Sequence, residues 1–380
     1  MKWFLCLMCV GLSLLIGCAP PTPTSQTDGG PQVVSQVSPE VPVAAPVAAP
    51  EVLDLPVFTI TTSEYPSWST LIVAGKAGLC NPARGGEYGP LEKKWSVDVV
   101  IEVKDYDPCI AAYGNTVCDA TCMTNIDALK PSLGRASTAI CPTSNSVGAD
   151  KVIAIGVSDV DGLKLVPVHG LSQSVSHYCW YRGLEKNGKN PAEFKYVNLD
   201  PAPASTAMQT GSQKVTAICV WNPFALQTLR KVPESKAIFT SELIPGEIVD
   251  MIVVGNDVLA KPGGEAFAAC LCDIQYEVNK KLQSPDTKIA DAALTALGKD
   301  FCDLPLEDMK IVIQETQFYW TATDGIKWFK GDEFKEKMKI VVATCQKIQL
   351  LTDALPTIEY GETGSAQLTF TSKFMEKVSN

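Results

Sequence analysis

From about residue 57 onward, short apolar runs alternate along the chain with stretches in which apolar residues recur every three or four positions. Apolar runs bounded by turn residues predict buried strands, and the longer spacing predicts amphipathic helices. The first predicted strands are Phe58–Thr62, Val97–Val103, Val117–Cys122 and Ser137–Cys141. Helices are predicted among them at Trp68–Leu79 and Asp107–Tyr113. This order predicts an α/β fold with a mainly parallel, doubly wound sheet.

A second set of elements begins near residue 151 and is followed by long helices. Strands are predicted at Val152–Ile155, Leu163–Val168, Phe194–Leu199, Val215–Val220 and Met251–Val254, with one helix at Ser176–Asn187. Further helices are predicted at Glu265–Lys280, Thr287–Leu297 and Glu333–Leu350. We expect two lobes, residues 56–148 with 250–380 and residues 149–249, joined by hinge crossings near Cys141–Lys151 and Glu247–Val253. A ligand cleft is expected between the lobes.

The first 18 residues have the pattern of a bacterial lipoprotein signal. Lys2 precedes an apolar run over residues 3–16, which is too short to cross a bilayer. The run ends in Leu15-Ile16-Gly17-Cys18, which resembles a lipobox with Cys18 as the lipidated residue. An ordinary secretion signal with an incidental cysteine is the alternative. Residues 19–55 are rich in proline and alanine and predict a disordered, extended tether.

The composition is that of a soluble globular protein. Hydrophobic residues make up 46% and charged residues 19% of the chain. The net charge of −10 argues against nucleic acid as a partner. The chain has no G-x-S-x-G or H-E-x-x-H motif, and its only histidines are His169 and His177. We therefore expect a protein that is not an enzyme and that needs no cofactor or metal.

Cysteines are frequent after Cys18. They are Cys80, Cys109, Cys118, Cys122, Cys141, Cys179, Cys219, Cys270, Cys272, Cys302 and Cys345. An exported protein can form disulfides, but the sequence leaves their pairing open. Several of these cysteines lie in apolar runs, where cysteine commonly serves as a small buried hydrophobe. A zinc site made by the pairs 118/122 and 270/272 is a weaker alternative.

Seven short segments, taken in order and with their spacing, resemble the nitrate/sulfonate/taurine-type periplasmic binding proteins of ABC importers. They are Lys104–Tyr106, Cys122–Leu129, Ser137–Ala139, Gly148–Asp150, Ser174–Tyr178, Val220–Pro223 and Ile244–Asp250. The subgroup associated with urea carboxylase, for which guanidine- or urea-like ligands are suspected, is the most similar. The resemblance implies a type II periplasmic binding protein fold and a solute-binding role on the periplasmic or cell-surface face of a bacterial membrane. It also implies ABC permease and ATPase subunits as partners.

Strand ends that face the cleft supply the candidate ligand contacts. The candidates are the aromatic Tyr65, Trp68 and Trp221, the polar Thr124, Asn125, Ser176, His177 and Asn222, and the acidic Asp127, Glu247 and Asp250. A planar guanidinium can bind a carboxylate through two hydrogen bonds and also stack on an aromatic ring. The segments that carry these candidates, residues 65–68, 124–127, 174–177, 221–222 and 247–250, contain no arginine or lysine. The pattern therefore favours a cationic or neutral nitrogenous ligand.

Several candidates also have a purely structural interpretation. The two tryptophans can be core residues, Asp127 a helix cap, Glu247 a hinge or surface acid, and His177 a packing residue. Ser176, at a helix start, leaves open a small anion such as a sulfonate or nitrate. At the level of function, a lipid-anchored sensor or scaffold with the same fold is the alternative to transport.

Overall fold

The computed structural model describes residues 54–299, 302–352, 354–362 and 365–378. The predicted signal peptide, Cys18 and tether residues 19–53 lie outside the described residues. Within them, no helix is both long and apolar enough to span a membrane. The same part of the chain holds no cluster of three metal-ligating side chains. Its eleven cysteines, from Cys80 to Cys345, are all buried, and none is in a disulfide.

The strands of the described residues form two sheets. They are β1 (Val57–Thr62), β2 (Asp98–Val103), β3 (Ala120–Thr124), β4 (Ser137–Ser146), β5 (Asp150–Ile155), β6 (Val168–Gly170), β7 (Tyr196–Asn198), β8 (Ala217–Trp221), β9 (Ser235–Thr240), β10 (Val249–Gly255), β11 (Thr316–Phe318), β12 (Ile358–Tyr360) and β13 (Leu368–Phe370). The large sheet has the order β12-β13-β4-β10-β3-β1-β2, with β11 also paired to β4. The small sheet has the order β7-β6-β8-β5-β9.

Helices cover both sheets. In the described residues they are α1 (Thr70–Lys76), α2 (Pro90–Trp95), α3 (Tyr106–Gly114), α4 (Leu129–Ser132), α5 (Val175–Lys186), α6 (Pro201–Thr210), α7 (Phe224–Lys231), α8 (Asn256–Leu259), α9 (Gly264–Leu282), α10 (Thr287–Leu297), α11 (Leu306–Glu315), α12 (Ala322–Lys330), α13 (Asp332–Lys347) and α14 (Lys373–Glu376). Most residues of α9 are buried, because α9 packs against α1, α2, α10 and α14.

The centre of the large sheet is buried on both faces. Every residue of β4 and of β10 is buried. Central strands covered by helices on both sides are apolar along their whole length, and β10 follows this rule except at Asp250. A carboxyl group in the middle of such a core is costly unless it has hydrogen-bond partners or a function.

The predicted two-part α/β architecture with mainly parallel sheets is confirmed. Most strands of each sheet run in one direction, and the exceptions are β10 and β11 in the large sheet and β5 in the small sheet. β10 runs antiparallel to β3 and β4, and β5 runs antiparallel to β8 and β9. These two strands directly follow the segments that pass from one sheet to the other. Each therefore enters its new sheet from the opposite end to its neighbours.

The predicted strand Leu163–Val168 is wrong. Residues Asp161–Leu165 form a 3-10 helix, and β6 begins only at Val168. Leu163 is buried, whereas Leu165 is 87% exposed. The apolar residues of this segment therefore do not share the buried face that a strand would give them.

Candidate functional site

Each of the two strands that follow a crossing carries a buried aspartate near its start. Asp150 is the first residue of β5, and Asp250 is the second residue of β10. Strand pairing sets Asp150 opposite Trp221 of β8. It also sets Asp250 between Thr124 of β3 and Ser144 of β4. One carboxyl group from each sheet is thereby brought to the junction of the two sheets.

A small cavity lies at this junction. It is lined by residues from the large-sheet side, the small-sheet side and the return crossing, namely Tyr65, Trp68, Tyr106, Thr124, Asp250, Asp150, Val175, Trp221 and Ile248. Only about 10 Å³ of it is open to the centre of a water-sized sphere. That space holds about one water molecule. A larger ligand therefore requires the walls to separate.

Four aromatic rings surround much of this cavity. Trp68 stacks on Tyr106 with ring centroids 5.2 Å apart, and Tyr65 lies against Trp68 at 4.8 Å. Trp221 meets Tyr106 edge-on at 5.3 Å. All four rings are buried. An arrangement of aromatic faces beside carboxylates is suited to a small cation, because the faces carry negative charge density.

Tyr106 and Trp221 also line a second cavity of about 470 Å³ on the outer side. Its lining carries four acids, Glu64, Asp105, Asp107 and Asp200, and one lysine, Lys104, which is paired with Glu102. Burial, together with the charge of Asp105, raises the pKa of Glu64. The two rings therefore separate the enclosed cavity from an outer space whose negative charge attracts cations.

The two cavity carboxyls are held by serine hydroxyls. The Ser146 hydroxyl donates to Asp150 at 2.6 Å, and the Ser144 hydroxyl donates to Asp250 at 2.6 Å. Burial nevertheless raises the pKa of Asp150 to about 6. Burial also raises the pKa of Asp250 well above its usual value, and the negative charge of Asp150 adds to that shift. Both shifts show that the chain stabilises the ionised carboxylates poorly.

Asp127 is a third buried acid beside the cavity. Its Oδ2 atom accepts hydrogen bonds from the Tyr106 hydroxyl at 2.7 Å, the Thr124 hydroxyl at 3.0 Å and the Val175 backbone N–H at 3.3 Å. Burial raises the pKa of Asp127 to about 6 although these hydrogen bonds oppose the shift. Asp127 follows β3 and Val175 begins α5, so this contact joins the two halves of the molecule.

One buried cation of the chain lies close to these acids. The charge of Lys151 opposes the rise in the pKa of Asp150. However, the Lys151 ammonium group contacts Glu315 at 2.8 Å and also donates to the Gly148 carbonyl. Its charge is therefore largely balanced by Glu315. Among the described residues, no cation forms an ion pair with Asp127, Asp150 or Asp250.

Buried hydrogen-bond donors also occur around the cavity. The indole N–H groups of Trp68 and Trp221 have no hydrogen-bond partner in the described part of the chain. Most buried polar groups in proteins are paired, so these donors are available to a bound molecule. An indole N–H suits an acceptor such as the carbonyl oxygen of a urea. The site thus combines carboxylates for N–H groups with donors for one oxygen.

The two candidate asparagines serve mainly to hold segments together. The Asn125 side chain donates to the Glu247 carbonyl at 3.1 Å and accepts from the Val249 N–H at 2.9 Å. The Asn222 amide donates to Glu315 at 2.7 Å and precedes a cis peptide bond to Pro223. Neither asparagine lines the enclosed cavity.

The remaining candidates also lie away from the cavity lining. Glu247 accepts two hydrogen bonds from the Arg182 guanidinium, both at 2.8 Å, and one from the Tyr178 hydroxyl at 2.6 Å. The His177 ring stacks on Tyr196 with centroids 4.8 Å apart. The Ser176 hydroxyl is buried near the start of α5 without a hydrogen-bond partner among the described residues.

Sequence reasoning named Asp250 among the candidate acids, but it did not select Tyr106 or Asp150. Each residue lies in a segment that was noted for its resemblance to binding proteins. The sequence did contain a signal for the two acids. Asp150 begins an apolar run that predicts a buried strand, and Asp250 interrupts another such run. Their meeting depends on strand register across two sheets, which a single sequence does not reveal.

Several solved structures share this fold, and two of them are named as sulfonate-binding proteins. The alkanesulfonate-binding protein SsuA from Xanthomonas axonopodis pv. citri, bound to MOPS, is 15% identical over 74% of this chain and 93% of its own, with a TM-score of 0.57. The aliphatic sulphonate-binding SsuA from Escherichia coli is 16% identical over 77% of this chain and 86% of its own, with a TM-score of 0.58.

A third similar structure is the ligand-binding component of an ABC-type import system from Staphylococcus aureus, solved with zinc bound. It is 12% identical over 78% of this chain and 93% of its own, with a TM-score of 0.58. No protein-family model and no curated protein sequence matches the chain. At these identities the similarity establishes the fold, which is the expected periplasmic binding protein fold with two lobes and two crossings.

Proposed function

We propose that the chain is an extracytoplasmic solute-binding lipoprotein of an ABC importer. It binds a small nitrogenous solute, cationic or neutral and similar to guanidine or urea, in the cavity between the two sheets. The solute is then passed to permease and ATPase subunits. Residues 56–148 with 250–380 form one lobe of this protein, residues 149–249 form the other, and Cys18 carries the lipid anchor.

The observation that carries the ligand assignment is the uncompensated charge at the cavity. Asp150 and Asp250 line it together, and Asp127 lies beside it. Hydroxyl groups of serine, threonine and tyrosine, with one backbone N–H at Asp127, do not stabilise these ionised acids enough to keep their pKa values in the ordinary range. A cation bound among them would supply the missing counter-charge.

The size of the cavity and the position of its acids fit a ligand that closes the lobes. Asp150 and Asp250 stand immediately after the two crossings, so a ligand that contacts both carboxyls would bridge the lobes at the hinge. The enclosed space is only large enough for about one water molecule. Ligand entry therefore needs an opening movement, as in other hinge-type binding proteins.

Three planar molecules of nearly equal shape separate the ligand classes. Guanidinium is positive, urea is neutral and nitrate is negative. We expect guanidinium to raise the thermal unfolding temperature of the protein most, urea to raise it less, and nitrate to leave it unchanged at equal ionic strength. Stabilisation by nitrate alone would show that the site takes anions. Lack of response to a broad panel of amines, amidines and ureas would favour a sensor or scaffold role.

A further inference from the structure

Asp127 occupies a position in which a bound anion would be expected. Its Oδ2 atom receives three hydrogen bonds at once, from the Tyr106 and Thr124 hydroxyls and the Val175 N–H. All three donors are buried. This single carboxylate oxygen accepts hydrogen bonds from both halves of the molecule. A bound anionic ligand would be held by the same kind of contacts.

One of these donors belongs to the first residue of a helix. α5 spans twelve residues, from Val175 to Lys186. The partial positive charge at a helix N-terminus and its unpaired N–H groups attract anions. Ser174 caps the helix by accepting from the Ser176 N–H, which leaves the Val175 N–H for Asp127. The Ser176 hydroxyl is buried without a partner among the described residues and is an additional donor at this helix end.

The fold by itself does not reject anions. Two solved structures that share it are named for binding sulfonates, which are anionic. Selectivity in this chain must then come from side chains. A carboxylate that fills the donors at the α5 N-terminus would compete with an incoming anion for the same hydrogen bonds and would also repel it.

We propose that Asp127 is a built-in anion whose carboxylate occupies the α5 N-terminus and thereby excludes anionic solutes from the cleft. This inference deepens the proposed function, because it concerns the selectivity of the same site. Removal of the carboxylate should leave the Tyr106, Thr124 and Val175 donors facing an unfilled space. That space would accept a small anion, with formate as the closest replacement for the lost group.

Asp127→Ala tests the proposal by gain of binding. At neutral pH and constant ionic strength, we expect calorimetry to show formate binding to this variant at least tenfold more tightly than to the wild type. Asp127→Asn is the matched control, because its amide oxygen still accepts from the same donors. Asp200→Ala is a second control that removes one exposed acid from the cleft rim and leaves the three donors engaged. Neither control should gain formate binding.

Three results would each overturn the proposal. One is a folded Asp127→Ala protein that binds formate no better than the wild type. Another is an equal gain in Asp200→Ala, which would show that only long-range charge matters. If Asp127→Ala does not fold in plain buffer, added formate should restore folding, and its failure to do so would also refute the role of Asp127. Guanidinium binding by the wild type is measured separately, so its absence would count against the proposed ligand and leave this inference standing.

Discussion

The protein has two sites with buried acids, one at Glu247 and one at Asp150 and Asp250. They differ in whether an arginine is bound to the acid. Glu247 has a tyrosine hydroxyl beside it and receives two hydrogen bonds from the Arg182 guanidinium. Asp150 and Asp250 have serine hydroxyls and aromatic rings beside them, but no guanidinium in the described part of the chain is bound to them. The first site is complete within the protein, whereas the second lacks a counter-ion.

The pKa values of the acids reflect this difference. Burial acts to raise the pKa of Glu247, but hydrogen bonds from Arg182 and Tyr178 outweigh it, so the pKa is lowered overall. Burial raises the pKa of Asp150 to about 6 and that of Asp250 well above its usual value, because the serine hydrogen bonds and the charge of Lys151 do not outweigh it. A buried acid thus indicates a binding site only when the chain provides no cation for it. Arg182 shows, within the same molecule, which kind of group would satisfy the cavity acids.

Removal of Arg182 should have the largest effect on stability. Arg182→Ala leaves Glu247 buried and unpaired, and we expect a loss of about 3 kcal/mol in the free energy of unfolding. Thermal unfolding followed by circular dichroism measures this loss of stability. Chemical denaturation with guanidinium or urea is unsuitable, because both are candidate ligands. Arg230→Ala is the matched control, because its ion pair with Asp308 has an arginine side chain that is 54% exposed. That control should lose less than about 1 kcal/mol.

Neutralising a cavity acid should have the opposite effect on the unliganded protein. Because the pKa of Asp150 is raised by folding, the ionised form costs stability above pH 6, and the cost fades as the pH falls toward the usual aspartate value. Asp150→Asn should therefore raise the free energy of unfolding at pH 7.5 by about 1–2 kcal/mol and change it little near pH 4. A large destabilisation at pH 7.5 would mean that Asp150 is already satisfied, as Glu247 is.

Cation affinity should depend on pH because of the same acids. Burial raises the pKa values of Asp127 and Asp150 to about 6, and it raises the pKa of Asp250 well above that of an ordinary aspartate. Guanidinium binds the ionised acids, so at low pH each protonated acid must first release its proton. For each such proton, we expect the affinity at pH 5 to be about tenfold weaker than at pH 7. Calorimetry in buffers of different ionisation enthalpy would reveal that proton release. An affinity that stays constant over this range would argue against contact with these acids.

Loss of an aromatic face should have the smallest measurable effect. Trp221→Leu keeps much of the apolar volume and removes the ring beside Asp150, so guanidinium affinity should fall by about 1 kcal/mol, or roughly fivefold. His177→Ala is the control, because the His177 ring stacks on Tyr196 instead of lining the cavity. Equal losses in both variants would indicate a general loosening of the structure rather than a contact with the ligand.

The fold could be predicted from apolar periodicity to a large extent, and the site only in part. The strand predicted at Val97–Val103 corresponds to β2, and the run Met251–Val254 lies within β10. The mainly parallel direction was predicted, but the antiparallel course of β10 and β5 was not, because it depends on how the chain crosses between the sheets.

At the site, the structure places Tyr65, Trp68 and Trp221 around the cavity. Glu247, in contrast, has its partner Arg182 on a helix 65 residues earlier in the chain. No local pattern in the sequence could show that this acid was already neutralised, or that Asp150 was not.

Calorimetric titration of guanidinium into the wild type and into Asp250→Asn at pH 7.5 tests the central claim most directly. The claim is that the cavity acids hold a small cation. The wild type should bind one guanidinium per chain, and the variant should bind it about a hundredfold more weakly, because a charge-assisted contact worth about 2–3 kcal/mol is lost. Equal affinity of the two proteins, or saturable binding of nitrate in place of guanidinium, would contradict the claim.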